Sequence, residues 1–254
     1  MIPSVNDIRS IRILQDPALD GPTNMARDEA LLVRAGSGAS PPTLRLYQWD
    51  PPTISLGYFQ RFADYERLPP PLNSLAVVRR QTGGGAILHD LELTYSLTIP
   101  IDHSLLEGGP NCLYEVVHDA VIASLATLGI PASRGGQDDD SGPTRGPMFC
   151  FRRRHRFDIL VGQEKVVGSA QRRTREAILQ HGSIILGDRT SQPAIVSLAV
   201  PLDPTRQRLR SLIPKELEQC GGVRLEPGAW LPAELMEVEA LTRKYAGRDW
   251  TQRS

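Results

Sequence analysis

The chain has 254 residues, enough for one large enzyme-sized domain with a sizeable buried core. Its 29 basic and 29 acidic residues cancel to a net charge of zero, which argues against bulk electrostatic binding of nucleic acid or of an anionic membrane. Three scattered cysteines without CxxC spacing suit neither a disulfide framework nor a zinc site, and no stretch looks like a signal peptide or a membrane span. We therefore expect a cytoplasmic protein.

The first half of the chain predicts one helix followed by a series of strands. The helix begins just after Thr23, which is its predicted N-cap. Residues 43–49 and 53–59 alternate with a period of two on either side of a proline turn, and they predict a hairpin or two neighbouring strands. Residues 75–80 and 93–99 are further strand candidates.

The second half mixes helices and strands. A long helix capped by Asn111 is followed by residues 132–147, whose many turn formers predict a mobile surface loop. A hairpin turning at Gly162 and a strand over 177–186 come next, and residues 232–245 predict an amphipathic helix. This order lacks regular βα alternation, so it favours an α+β domain with a central mixed or antiparallel sheet and flanking helices.

The segment RRQTGGGAILHD, residues 79–90, places three consecutive glycines between two predicted strands. Gly83, Gly84 and Gly85 would let the backbone approach a ligand closely and would leave N–H groups free to bind an acyl carbonyl or a phosphate. The alternative interpretation is a flexible hairpin turn, because glycine is common wherever φ is positive.

Cys150 and Lys165 form the second candidate group, because the predicted hairpin between them could return the lysine toward the cysteine. A nearby ammonium group stabilises a thiolate, which lowers the thiol pKa from about 8.5 and gives a nucleophile at neutral pH. The alternative is an inert cysteine in the core. Cys112 and Cys220 are interpreted as inert cysteines of this kind.

The basic run at 152–156, with Arg172, Arg173 and Arg175 beside it, is the largest concentration of charge in the chain. It predicts a docking patch for acidic carrier proteins, since charge complementarity raises encounter rates, and kcat/KM for such a carrier should fall steeply with salt. The alternative is a solvated face without a partner.

The sequence HGSI at residues 181–184 places polar side chains inside an otherwise apolar strand. His181 and Gly182 are therefore candidates for the site, although a buried histidine satisfied by its neighbours, with the glycine as a bulge, fits the spacing equally well.

Three ordered motifs, RRxxGGGxxxHD at 79–90, KxxGSAQ at 165–171 and LQHGSI at 179–184, together resemble those of the lipoate-protein ligase and octanoyltransferase superfamily. The resemblance covers about residues 24–250. It implies a biotin/lipoate ligase-like, class II synthetase-like catalytic fold, and we expect residues 1–254 to form a single catalytic domain.

Within that superfamily, ELTYS at 92–96 and the cysteine just before FDI look most like the octanoyltransferase branch that uses a cysteine in this position. By this resemblance, Cys150 would accept an octanoyl group from acyl carrier protein and pass it to a lysine of a lipoyl domain or glycine-cleavage H protein. Lys165 would lower the thiol pKa and help to hold the acyl carbonyl. Exchange between thioesters is nearly isoenergetic and amide formation is downhill, so we expect no cofactor and no metal. The predicted substrate-binding residues are Arg79, Gly83, Gly84, Gly85, His89, Gly168, Ser169, Ala170, His181 and Gly182.

Other functions fit parts of the pattern. An ATP-dependent lipoate-protein ligase would use ATP and Mg²⁺ to form lipoyl-AMP in the same pocket. The glycine at position 85 looks more like the sequence of such ligases, because an arginine is expected there in the cysteine-dependent branch. Such ligases usually have or borrow a small accessory domain, for which the residues after Trp250 leave no room, so the transferase is favoured. A non-catalytic protein that binds an acyl group or a carrier is the third option. Biotin ligation is disfavoured because a GRGRxGR-like loop is lacking.

Overall fold

The structure, a computed structural model, describes residues 10–135, 148, 155–187 and 200–253. Within these ranges the strands are β1 (Ser10–Leu19), β2 (Thr43–Trp49), β3 (Thr53–Leu56), β4 (Ala76–Arg79), β5 (Ile87–His89), β6 (Glu92–Pro100), β7 (Ala132–Arg134), β8 (Ile159–Val161), β9 (Glu164–Arg173), β10 (Ala177–Ile185) and β11 (Arg224–Pro227). The helices are α1 (Gly21–Gly36), α2 (Phe62–Glu66), α3 (Asn111–Thr127), α4 (Leu202–Gly221), α5 (Pro232–Ala246) and α6 (Arg248–Thr251). None of these described helices is long and apolar enough to cross a bilayer.

The strands form two sheets. The larger sheet has eight strands in the order β11-β1-β2-β6-β10-β9-β8-β7, and the smaller has three in the order β4-β3-β5. Strand β1 runs parallel to both of its neighbours, whereas the pairs from β2 through β6, β10, β9 and β8 to β7 are antiparallel. The predicted α+β fold with a mixed sheet and flanking helices is confirmed.

The prediction that residues 43–49 and 53–59 pair or lie side by side is wrong. Strand β2 is hydrogen-bonded to β1 on one edge and to β6 on the other, so neither edge is free for the strand that follows. The chain therefore leaves the large sheet at the proline turn, and β3 becomes the middle strand of the small sheet.

The two predicted helix caps differ from the structure. Helix α1 begins two residues before Thr23, and the carboxylate of Asp20 accepts a hydrogen bond from the Thr23 N–H at 2.8 Å. Proline at position 22 suits the first turn of this helix because its missing N–H would have had no partner there. Helix α3 begins at Asn111 as predicted, but Asn111 is already helical and its side chain does not cap the helix.

The remaining predicted elements are largely confirmed. The hairpin between β8 and β9 turns at Gly162, where φ is +61°, and β10 and α5 lie where expected. The predicted loop at 132–147 is wrong at its start, because Ala132–Arg134 pairs with β8, and residues 136–147 lie outside the described part of the chain. Strands β1 and β11 and helix α4 were not predicted from the sequence.

Strand β6 is buried on both of its faces. Its Leu93, Tyr95, Leu97 and Ile99 belong to the main apolar core, which also takes in side chains from α3 and α4. The alternating residues on the opposite face are polar, yet they too are almost inaccessible to water, and they are Glu92, Thr94, Ser96 and Thr98. The second face of the large sheet is therefore a buried polar layer.

The polar layer is organised around Arg45 of β2, which has no exposed surface. Its guanidinium pairs with Asp16 at 2.6 Å and with Asp28 of α1 at 2.8 Å. Burial alone raises the pKa of the Asp28 carboxyl, but the hydrogen bond from His181 and the charge of Arg45 outweigh it and hold that pKa below its usual value. The layer is thus held together by paired charges.

Candidate active site

A narrow pocket opens on the polar layer, between the large sheet and the small one. Its apolar lining includes Met25 of α1, Trp49 of β2 and Ile87 of β5. Six of the ten predicted substrate-binding residues line it, and they are His89, Gly168, Ser169, Ala170, His181 and Gly182. The structure thus brings together parts of three motifs that are far apart in the sequence.

The glycine run is not a hairpin turn, so that interpretation is wrong. Strands β4 and β5 pair with opposite edges of β3, and the run between them crosses over the end of that strand. Gly57 packs so closely against the carbonyl of Gly84 that a side chain at position 57 would collide with it. The φ of Gly84 is +91°, a value that favours glycine. Gly83, Gly84 and Gly85 are not among the described residues that line the pocket, so their contact with substrate stays a prediction.

Arg80 lines the pocket, whereas the residue predicted from the sequence to bind substrate was its neighbour Arg79. Its guanidinium holds the glycine run by donating to the carbonyls of Gly83 at 2.8 Å and Gly85 at 2.7 Å. Arg79 is also fully buried, but its guanidinium donates to backbone carbonyls of the segment after β3 and of the last residues, namely those of Gly57, Tyr58, Gln60, Thr251 and Arg253. Contact between Arg79 and a substrate stays a prediction.

The two predicted histidines sit in matching chains of hydrogen bonds. His181 joins the Asp28 carboxylate at 3.1 Å to the Thr82 hydroxyl at 2.7 Å. His89 likewise joins the Glu92 carboxylate at 2.6 Å to the Ser55 hydroxyl at 2.7 Å, and it stacks on the indole of Trp49 with a centroid distance of 3.8 Å. Because the ring nitrogen that faces a carboxylate must donate, a neutral ring leaves its other nitrogen to accept from the hydroxyl.

Both chains converge on Arg80. Its Nε donates to the Thr82 hydroxyl at 3.0 Å, and one terminal nitrogen donates to the Ser55 hydroxyl at 3.2 Å. The two hydroxyls are therefore held between a cation and an imidazole. His181 is at once a buried histidine satisfied by its neighbours and part of the pocket wall, so both interpretations of HGSI describe it in part.

A third polar cluster, which was not predicted from the sequence, joins Ser169 to Tyr95 and His118. The hydroxyl of Ser169 contacts the Tyr95 hydroxyl at 2.6 Å and His118 Nε2 at 2.7 Å. Complete burial lowers the pKa of His118 to about 3, so the ring is neutral, and burial raises the pKa of Tyr95. Gly182 lies against this cluster, because a Cβ there would collide with Ser169 Oγ and come within 2.6 Å of the Tyr95 ring.

Lys165 is the second residue of β9, the strand that lines the pocket, but it is not itself among the described lining residues. Its ammonium group is buried and pairs with the Asp158 carboxylate at 2.8 Å. Burial raises the pKa of Asp158 more than the charge of Lys165 lowers it. The register of β8 and β9 shifts by one residue beside Lys165, and such a bulge changes the direction in which the neighbouring side chains point.

Cys150, the predicted nucleophile, lies outside the described residues. The described residue nearest to it in sequence is Met148, whose carbonyl accepts from the Ala86 N–H at 2.7 Å and from the Gln60 amide at 2.9 Å. The chain therefore meets the end of the glycine run two residues before the cysteine. Of the other cysteines, Cys112 is half-buried and Cys220 is exposed, and partial burial together with nearby carboxylates raises the pKa of the Cys220 thiol.

Most of the predicted basic run also falls outside the described residues, which resume at His155. Arg156 lies 4.8 Å from the ring of Phe157. Arg172 and Arg173 are exposed at the end of β9, where Arg173 is held by the side chain of Gln171. Within the described ranges, no group of three histidine, cysteine, aspartate or glutamate side chains is arranged to hold a metal ion.

Comparison with known proteins gives the family. Residues 20–197 match the profile of the lipoyl protein ligase A/B catalytic domain. The chain is 35% identical to Octanoyltransferase LipM of Kyrpidia tusciae over 91% of this chain and 94% of that protein, and 37% identical to Octanoyltransferase LipM of Moorella thermoacetica over 95% and 97%. A solved bi-partite lipoate protein ligase of Thermoplasma acidophilum, described with its E2 lipoyl domain, superimposes with a TM-score of 0.70 at 20% identity over 96% of this chain and 95% of that chain. The chain therefore belongs to the family of lipoyl protein ligase A/B catalytic domains, and it is an enzyme of the acyltransferase class.

Proposed function

We propose that this enzyme moves an octanoyl group from acyl carrier protein to a lysine of a lipoyl domain or of glycine-cleavage H protein, through a thioester on Cys150. The observation on which this rests is the convergence at the pocket. The strand that lines it also bears the buried Lys165, and the chain that leads into Cys150 is tied through Met148 to the glycine run. Relatives that are 35–37% identical over nearly the whole chain are octanoyltransferases.

The reaction has two balanced steps. In the first, the Cys150 thiolate attacks the carbonyl carbon of the octanoyl thioester, a new C–S bond forms, and the carrier leaves as a thiolate. In the second, the neutral amine of the acceptor lysine attacks the enzyme thioester, the amide C–N bond forms, the amine loses a proton, and the cysteine thiolate is released. Neither step consumes ATP. The reaction needs a reduced thiol, so we expect it to occur in the cytoplasm.

Lys165 is proposed to stabilise the thiolate and to hold the acyl carbonyl. Its ammonium group is already desolvated and oriented by Asp158 at 2.8 Å, so little reorganisation is required when negative charge develops nearby. The apolar lining near Met25, Trp49 and Ile87 suits an alkyl chain, and each methylene it buries contributes about 0.8 kcal/mol.

The test is intact-mass analysis after incubation with octanoyl-loaded acyl carrier protein, without ATP. Wild type and Cys220→Ala should both gain one octanoyl group, whereas Cys150→Ala should gain none and should fail to modify a lipoyl domain. Cys220→Ala is the matched control because that thiol is exposed and its pKa is raised. Transfer by Cys150→Ala at the wild-type rate would refute the thioester mechanism, and an absolute need for ATP would establish a ligase.

A further inference from the structure

Five aromatic and cationic side chains form a surface cluster, here called the aromatic–cationic rim. The ring of Tyr58 is in edge contact with that of Phe59 at 4.9 Å and lies 6.0 Å from the indole of Trp250. The guanidinium of Arg253 stacks 3.5 Å from the Tyr58 ring, and that of Arg172 lies 5.7 Å from it. The rim is thus built from three separate parts of the chain.

The rim lies next to segments of the chain that line the pocket. The N–H of Tyr58 donates to the carbonyl of Thr82 at 2.9 Å, next to the glycine run. On the other side, Arg172 follows the pocket residue Ala170 by two positions on β9, so strand alternation places both side chains on the same face of the sheet. The approach of Arg172 to Tyr58 therefore joins β9, which lines the pocket, to the segment beside the glycine run.

The rim has the composition of a binding surface. Phe59 is 84% exposed, although burying such a ring is strongly favourable. A single exposed phenylalanine needs no explanation, but tyrosine, tryptophan and arginine together are the residue types enriched at the energetic centres of protein interfaces. The local charge is positive, since residues 171–175 contain three arginines and no acidic residue, and the hydrogen bond and charge of Arg253 lower the pKa of Tyr58.

We propose that the aromatic–cationic rim is the docking surface for the acceptor, a folded domain with acidic groups beside its target lysine. This inference rests on the proposed function. A lysine reaches outward only by a four-carbon stem, so the surface around it must touch the mouth of the pocket while its amine reacts inside. Phe59 supplies the apolar contact, and Arg172 and Arg253 supply charges complementary to an acidic face.

The test measures binding without catalysis. The Kd of a purified, unmodified lipoyl domain with net negative charge is determined for the Cys150→Ala protein, with and without rim substitutions. Phe59→Ala and Arg172→Glu should each weaken binding about fivefold, and the pair about tenfold or more. Binding by the unsubstituted rim should weaken as salt rises, and Arg172→Glu should flatten that dependence.

Matched controls separate docking from general effects. Met236→Ala removes an apolar side chain that is 73% exposed on α5. Arg224→Glu reverses a charge that is 73% exposed on β11, an edge strand separated from β9 by four strands of the large sheet. Neither control should change Kd. Thermal unfolding of each variant establishes that it is folded.

Two outcomes would overturn the rim proposal. One is an equal Kd for rim variants and controls, and the other is that rim substitutions weaken binding of acyl carrier protein while the lipoyl domain binds as before. The proposed function fails separately, when wild type gains no octanoyl group. Loss of lipoyl-domain binding in the rim variants would support the rim as the docking surface, whether or not the intact-mass experiment detects an octanoyl group on the wild type.

Discussion

Replacing Gly182 by alanine tests how closely this pocket residue packs against Ser169 and Tyr95. Gly182 lies on β10 directly across from Tyr95 on one side and Ser169 on the other. An added Cβ would overlap Ser169 Oγ and come within 2.6 and 2.7 Å of two carbons of the Tyr95 ring. Both neighbours are themselves held, since their hydroxyls bond each other and His118. The methyl group can be accommodated only if this cluster opens.

The cost follows from two contributions. Forcing a methyl group into a well-packed interior costs about 1–3 kcal/mol. Separating the Ser169 hydroxyl from its buried partners removes at least one hydrogen bond, worth about 1 kcal/mol. A total near 3 kcal/mol in the free energy of unfolding corresponds to a Tm lowered by roughly 6–12 °C in a protein of this size.

Calorimetric unfolding of wild type, Gly182→Ala and Gly83→Ala measures this cost. Gly83 is the matched glycine, because a Cβ there would have no atom within 4 Å and its φ is not in the left-handed region. We expect Gly83→Ala to unfold within about 2 °C of wild type or slightly above it. A Tm for Gly182→Ala within that same interval would refute the steric argument.

Three further predictions concern the buried polar groups. Burial holds the pKa of His118 in the folded protein near 3, below the value of about 6.5 in the unfolded chain. As the pH falls below about 6.5 the histidine is protonated only in the unfolded chain, so the free energy of unfolding decreases, by about 2 kcal/mol from pH 7 to 5. Urea unfolding of His118→Gln should show a correspondingly weaker dependence on pH. Arg45→Met leaves the buried Asp28 without its cation and should lower the free energy of unfolding by about 3–5 kcal/mol. The exposed Arg243→Met should lower it by about 0.5 kcal/mol or less. Equal Tm values for these two variants would show that the Arg45–Asp28 ion pair does not stabilise the fold. Thr82→Val removes a hydroxyl that bonds both His181 and Arg80 and should cost about 1–3 kcal/mol, whereas Thr82→Ser should restore most of it; equal stability of the two variants would show that the hydroxyl is not needed.

The sequence predicted most elements of the fold but not which faces they bury. The alternation along β6 identified the strand correctly, and a regular row of threonine and serine is usually a solvated face. Here that row is buried because α1 brings Asp28 to it, with Ser96 donating to that carboxylate at 2.8 Å. Such a contact between residues far apart in the chain leaves no local pattern. The indication of it in the sequence was an arginine, Arg45, between the two leucines of β2.

The sequence predicted the motifs that form the candidate site, but not Arg80 and His118, whose hydrogen bonds hold the pocket residues in place. The KxxGSAQ and HGSI strands proved to be neighbours, because β9 and β10 form a hairpin. Arg80 was missed beside Arg79 since the sequence does not tell which of two adjacent arginines faces the pocket. His118 had an available indication, a histidine between Val117 and Val121 within an apolar helix face, which is typical of a buried ring with a partner.

The contacts made by the last residues also bear on the order in which the protein can fold during synthesis. Arg12 on β1 pairs with Glu234, and two of the five backbone carbonyls to which Arg79 on β4 donates belong to Thr251 and Arg253. Before residues 234–253 have emerged from the ribosome, the charge of Arg12 lacks its carboxylate and Arg79 lacks two of its acceptors, and burying a cation without its partners is very costly. We therefore expect β1 and β4 to reach their final packing only after the segment 234–253 has been synthesised.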